Sequence, residues 1–223
     1  MQKSAIKLLA PADGFSLFNA MCGFIAIFFA LQSDLWMSGL FVLIAVVGDG
    51  VDGLLARWFG SGKLGESLDT LADFIAFCVA PSVLVLESYA ANHALYLTTA
   101  VLAFYILASV IRLSAFPFLK QNHRFIGLPT PAAGAVVVLM VLLYFEWYLM
   151  LPILCVFSLL MISNIPFPKI NNKFAFVATV LIINVILLRD SYSYIAPLLL
   201  LVALFVYVLL GPLTLRFSSE RHR

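Results

Sequence analysis

Long apolar runs alternate with short polar intervals along the chain, and the runs have lengths that suit membrane-crossing helices. They predict spans near residues 15–32, 37–58, 67–87, 95–117, 131–145, 147–164, 174–188 and 194–215. Several of the later runs fall short of the ~20 residues that cross a full hydrocarbon core. Tilting or local thinning of the bilayer accommodates eight spans, whereas merging neighbouring runs gives six. Ahead of the first run, residues 3–10 form a short basic and apolar stretch suited to the membrane surface, with Pro11 as a break. The first run continues for about 17 residues from Phe15 without a small-residue cleavage site, so it reads as a retained helix, not a signal peptide. The expected fold is all-α: one polytopic transmembrane bundle over residues 1–223 with a short N-terminal interfacial helix.

Composition agrees with this pattern. Of 223 residues, 64% are hydrophobic and 11% charged, with a mean hydropathy of +1.09. A soluble domain carries about 25% charged residues, so that class is excluded. A net charge of +2 with scattered basic residues gives no footprint for nucleic acid. Cys22, Cys78 and Cys155 stand alone in apolar runs and read as buried small hydrophobes. With eight spans and the N-terminus inside, all 13 Lys and Arg except Arg189 fall on the cytoplasmic side. Asp34, Glu87, Glu146 and Asp190 fall outside. Both termini and the turn after Arg57 are therefore expected at the cytoplasmic face of the cell membrane.

The stretch from Gly48 to Pro81 breaks the apolar pattern with Asp49, Asp52, Asp69 and Asp73. An ionised carboxylate inside a bilayer costs on the order of 3 kcal/mol or more, so four of them need a compensating cation. Asp49 and Asp52 are three residues apart and Asp69 and Asp73 four. On helices each pair lies on one face, roughly 60° and 40° apart about the axis. Two helices joined by a short turn can aim all four at one point. Oxygen donors without His or Cys favour Mg²⁺, Mn²⁺ or Ca²⁺ over zinc or copper. The turn contains Gly60, Ser61, Gly62, Lys63 and Gly65, with Arg57 just before it, and this mixture of pliable backbone and cations suits a diphosphate.

The pattern D-x-x-D-G-x-x-A-R, a seven-residue spacer, then G-x-x-x-D-x-x-x-D resembles the signature of the CDP-alcohol phosphotransferase family. Asp49, Asp52, Gly53, Ala56, Arg57, Gly65, Asp69 and Asp73 carry the match. Phe125-Ile126-Gly127-Leu128-Pro129 with Pro131-Ala132-Ala133 is similar to an element of the phosphatidylserine synthase branch, as is the run from Leu68 to Asp73 followed by Phe77 and Val79-Ala80-Pro81. The surrounding segment, Arg112 to Gly134, reads as a loop entering a helix near Pro131.

The resemblance implies transfer of a phosphatidyl or archaetidyl group from a CDP-lipid to the hydroxyl of L-serine, with release of CMP. It implies two divalent cations, Mg²⁺ or Mn²⁺, one on Asp49, Asp52 and Asp69 and the other on Asp49, Asp69 and Asp73. Asp73 would also be the general base. Asn19, Asp52, Gly53, Ala56, Arg57 and Gly65, with Ser61 or Lys63, would line the CDP-lipid site. Serine's carboxylate needs a donor, for which Arg112 is the first candidate and Arg124 the second. A homodimer embedded among membrane lipids is the implied assembly. Competing readings are a relative that uses inositol phosphate, glycerol 3-phosphate or choline, and a divalent-cation transporter, which would place its carboxylates nearer mid-bilayer. Arg57, Lys63, Arg112 and Arg124 also have a plain alternative as positive-inside anchors.

Overall fold

The computed structural model describes residues 5–11, 13–59, 64–89, 94–119, 124–168, 172–187 and 194–220; the side chains of residues 5, 7, 52–59, 172–176 and 213–220 are outside that description. A 3₁₀ turn, Ala5–Leu8, precedes α1 (Asp13–Leu31) and α2 (Leu35–Phe59). Next comes one rod, Gly65–Ser88, built from α3 (Gly65–Asp73), a π-helical segment (Phe74–Val79) and α4 (Ala80–Ser88). The remaining helices are α5 (Leu95–Leu119), α6 (Thr130–Leu142), α7 (Trp147–Met161), α8 (Asn172–Leu187) and α9 (Ile195–Glu220). Every predicted run thus coincides with one helical rod. Among the described residues four helical stretches are long and apolar enough to cross a membrane: Asp13–Leu31, Gly65–Ser88, Leu95–Leu119 and Ile195–Pro212. Leu35–Val51, Thr130–Leu142, Trp147–Met161 and Val177–Ile186 are shorter apolar helices.

The packing is that of a membrane bundle. On α1 the buried stripe is Ser16, Asn19, Cys22, Gly23, Ala26 and Ala30, while Phe18, Met21, Phe24 and Phe28 face outward. Small residues inside let backbones approach closely, and large apolar residues outside suit lipid. α6 sits at the centre, with every residue from Ala132 to Leu142 buried. Its all-round apolar sequence permits that position. It packs against α2, α4, α7, α9 and the π segment.

Two features depart from the sequence reading. Arg112 to Leu119 is helical, not loop: α5 carries Pro117 in its last turn and ends at Leu119. The all-α bundle also contains a two-stranded antiparallel sheet, β1 (Arg124–Ile126) with β2 (Pro166–Pro168), which sets Phe125 opposite Phe167. Strands of three residues, one of them Pro-Phe-Pro, are too short for alternation to register, and each proline removes a ladder donor.

The π segment has a local cause. Pro81 has no N–H for the carbonyl of Phe77, four residues back, and its ring crowds that oxygen. The backbone widens, and the Ala80 N–H donates to Ile75, five residues back. The Tyr105 hydroxyl donates to the Phe77 carbonyl (3.2 Å) and binds α5 to the widened turn. Gly134 of α6 lies against the same carbonyl, where a Cβ would approach to 2.7 Å. On the other side Gly23 of α1 meets the Ala76 backbone, with a Cβ distance of 2.8 Å. Gly134→Ala is expected to push α6 off the π segment and to cost about 1–3 kcal/mol of stability. Thermal unfolding in detergent measures this; a melting temperature equal to wild type would show that the close approach is not required.

Candidate active site

Asp49 is carried by α2, Asp69 and Asp73 by α3, and one carboxylate oxygen from each lies within 4.8 Å of the others. All three side chains are half-buried. The i, i+4 spacing puts Asp69 and Asp73 on one face of α3. α1 packs along both α2 and α3 and holds the two acidic helices together. At 4.8 Å each pair of carboxylates repels by roughly 3 kcal/mol at an effective dielectric constant of about 20. A cluster of this kind, made only of hard oxygen donors, offers the ligand type that hard divalent cations prefer.

Asn19 explains how Asp49 is aimed. It is fully buried, and with its amide assigned to the orientation that satisfies its neighbours, the nitrogen donates to the Ala45 carbonyl (3.2 Å) while the oxygen accepts from the Asp49 N–H (3.1 Å). Those two groups are the pair that an uninterrupted α-helix joins to each other. The missing side chain at Gly48 makes the room, since a Cβ there would overlap the Asn19 amide. Asn19 therefore grips α2 at the turn that carries Asp49. Gly65, buried, is the first residue of α3. The side chains of Asp52, Gly53, Ala56 and Arg57 lie outside the described residues, as do Ser61 and Lys63.

The two candidate arginines differ sharply. Arg112 is 7% exposed, too deep for a snorkelling anchor. Its Nε donates to the Leu128 carbonyl, and its guanidinium lies 5.9 Å from the centre of the Phe116 ring. It interacts electrostatically with Asp73, which ties it to the carboxylate cluster, and lies within electrostatic range of the neutral Cys78 thiol and Tyr207 phenol. Arg124 is exposed on β1.

Several residues around the site were not singled out from the sequence. Tyr105 and Gly134 fix the turn directly after Asp73. Pro81 signals this locally, because a proline four residues after Phe77 must disturb that carbonyl. Thr130, the first residue of α6, is fully buried with no hydrogen-bond partner for its hydroxyl among the described residues. Tyr207 of α9 comes within electrostatic range of Arg112, and no sequence spacing announces it.

Comparison with known proteins gives this geometry a setting. The family model for CDP-alcohol phosphatidyltransferase matches residues 9–162. The chain is 31% identical over 175 residues to an archaetidylserine synthase of Methanothermobacter thermautotrophicus, across 76% of this chain and 74% of that protein. It is 31% identical over 191 residues to a CDP-diacylglycerol–serine O-phosphatidyltransferase of Helicobacter pylori, with 78% and 80% covered. A Methanocaldococcus jannaschii protein of the same name is 33% identical over 169 residues, with 75% and 78% covered.

The crowded carboxylates generate an expectation about stability. In chelator, Asp69→Asn relieves repulsion and is expected to melt at or above the temperature of the wild type. In millimolar Mn²⁺ the wild type is expected to rise by several degrees and the variant to rise little, since a ligand that binds only the folded state stabilises it. Thermal unfolding in detergent checks both, and a wild type indifferent to Mn²⁺ and Mg²⁺ would refute the cation reading.

Proposed function

The chain belongs to the CDP-alcohol phosphatidyltransferase family, and from that premise we propose that it transfers the phosphatidyl or archaetidyl group of a CDP-lipid to L-serine. The serine hydroxyl oxygen forms a bond to the lipid-side phosphorus, the bond from that phosphorus to the diphosphate bridging oxygen breaks, and CMP leaves. The observation that carries this reading is the convergence of Asp49, Asp69 and Asp73 from two helices. Their all-oxygen donor set fits Mg²⁺ or Mn²⁺, and two such ions held by them with Asp52 would neutralise the diphosphate and polarise the reacting phosphorus.

Around that centre the residues have separable tasks. Asp73 takes the proton of the serine hydroxyl, which as a neutral alcohol is a weak nucleophile. Asn19 holds the Asp49 turn of α2 in place. Gly53, Ala56 and Gly65 leave space for the nucleotide, and Arg57 with Ser61 or Lys63 engages the phosphates. Arg112 receives the serine carboxylate. Among the described residues it is the single buried cation, and α6, whose N-terminus carries partial positive charge, begins two residues after the Leu128 carbonyl that Arg112 holds. One buried guanidinium and a helix end suit a carboxylate better than a dianionic phosphate, which favours serine over a phosphorylated alcohol. Arg124, exposed on β1, is a rim residue for incoming substrate. The positive-inside bias supports a cytoplasmic location for this end of the bundle, where nucleotides and free serine are supplied.

CMP release by the purified protein with a CDP-lipid and Mn²⁺ or Mg²⁺ tests the proposal. Serine is expected to drive release, and glycerol 3-phosphate, inositol phosphate and choline are not. Release driven only by one of those would overturn the choice of acceptor, and cation flux without CMP would overturn the enzyme reading. Asp73→Asn is expected to lower turnover by about 10²- to 10⁴-fold while nucleotide binding persists. Arg112→Ala is expected to raise the KM for serine about tenfold or more and to leave the KM for the CDP-lipid near wild type; an unchanged serine KM would remove Arg112 from the pocket.

A further inference from the structure

The family match ends at residue 162, yet β2 and α9, beyond it, reach back to the arginine assigned above to the acceptor. The Tyr207 hydroxyl on α9 donates to the Pro168 carbonyl of β2 (3.0 Å), and its ring lies 6.1 Å from that of Phe167. Phe167 is fully buried. At Gly211, one turn further along α9, a Cβ would stand 3.0 Å from the Pro168 ring, so the helix lies directly on the strand.

The strand in turn sets the position of Leu128. β2 pairs with β1, the Gly127 N–H donates to the Ile165 carbonyl (2.9 Å), and the Leu128 N–H donates to the Leu160 carbonyl (3.1 Å). Gly127 has φ +76°, and its missing Cβ leaves room for the Met161 carbonyl. The Leu128 carbonyl then receives Arg112 Nε. Phe125 of β1 packs 6.4 Å from Phe116, the ring beneath the guanidinium. Tyr207 also lies within electrostatic range of Arg112, as a neutral dipole. Because the phenolic proton points to Pro168, the lone pairs of the phenolic oxygen remain available to a cation.

We propose that Tyr207 is a positioning residue for acceptor recognition: with β2 it locks the Arg112 guanidinium in the orientation that receives the acceptor's anionic group. This makes α9 a wall of the acceptor pocket. It rests on Arg112 being the acceptor's anchor. An arginine carries several rotatable bonds, and freezing them before the acceptor arrives lowers the entropic cost of binding.

Tyr207→Phe keeps the ring against Phe167 and deletes only the hydroxyl. In CMP-release assays on the full-length protein, the KM for the acceptor is expected to rise about 5- to 20-fold. The turnover number and the KM for the CDP-lipid should stay within about twofold of wild type. In an Arg112→Ala background the same substitution is expected to add no further change to the acceptor KM, because the group being positioned is gone. An unchanged acceptor KM in the single variant, an equal rise in both backgrounds, or a fall in turnover matched by a lower melting temperature would each overturn the proposal. If the wild type ignores serine but uses another acceptor, the serine reading alone fails, and the comparison is made with that acceptor.

Discussion

Three carboxylates within 4.8 Å of one another form a locally repulsive arrangement, and the rest of the bundle makes that arrangement tolerable. Two acidic helices left to themselves would move apart. Here both are packed along α1, whose inward stripe of small residues allows an approach that larger side chains would block. The repulsion among the aspartates is thus opposed by close packing and by the buried Asn19 amide. Stability is spent on holding charge in place, a familiar trade at functional sites.

The second constraint is the proline after Asp73. By denying Phe77 its helical hydrogen bond, Pro81 converts one turn of the rod into a π segment, and the freed carbonyl is taken by Tyr105 from α5. Gly134 of α6 closes on the same point. One backbone irregularity therefore joins the acidic helix to two others, and it begins directly after Asp73. π segments occur often near functional sites, and this one stiffens the site through packing and a hydrogen bond. Arg112 belongs to the same knot: α5 carries both it and Tyr105, seven residues and two turns apart, and so places the buried cation on the side of the carboxylates.

Much of this was legible in the chain of residues alone. Membrane helices follow from apolar length, because the bilayer leaves the backbone no other way to satisfy its hydrogen bonds, and all eight runs became helical rods. The 3- and 4-residue spacing of the aspartates likewise follows from helical geometry, so the convergence of Asp49, Asp69 and Asp73 needed only that α2 and α3 face one another. Local chemistry carried the donor type, carboxylate oxygen throughout.

What the tertiary structure decided depends on contacts between residues far apart in sequence. The resemblance implies a substrate contact for Asn19, and only the packing of α1 on α2 reveals that its buried amide also meets the Asp49 turn. Arg112 could have been a surface anchor; only its depth, its bond to Leu128 and its reach to Asp73 distinguish it from one. The β1–β2 pairing and the arrival of Tyr207 from α9 join segments about forty residues apart, and no periodicity encodes such a meeting. Periodicity and spacing record how a residue sits within its own helix. Which helix lies opposite is set by the fit of whole surfaces, and that is settled only when the bundle has packed.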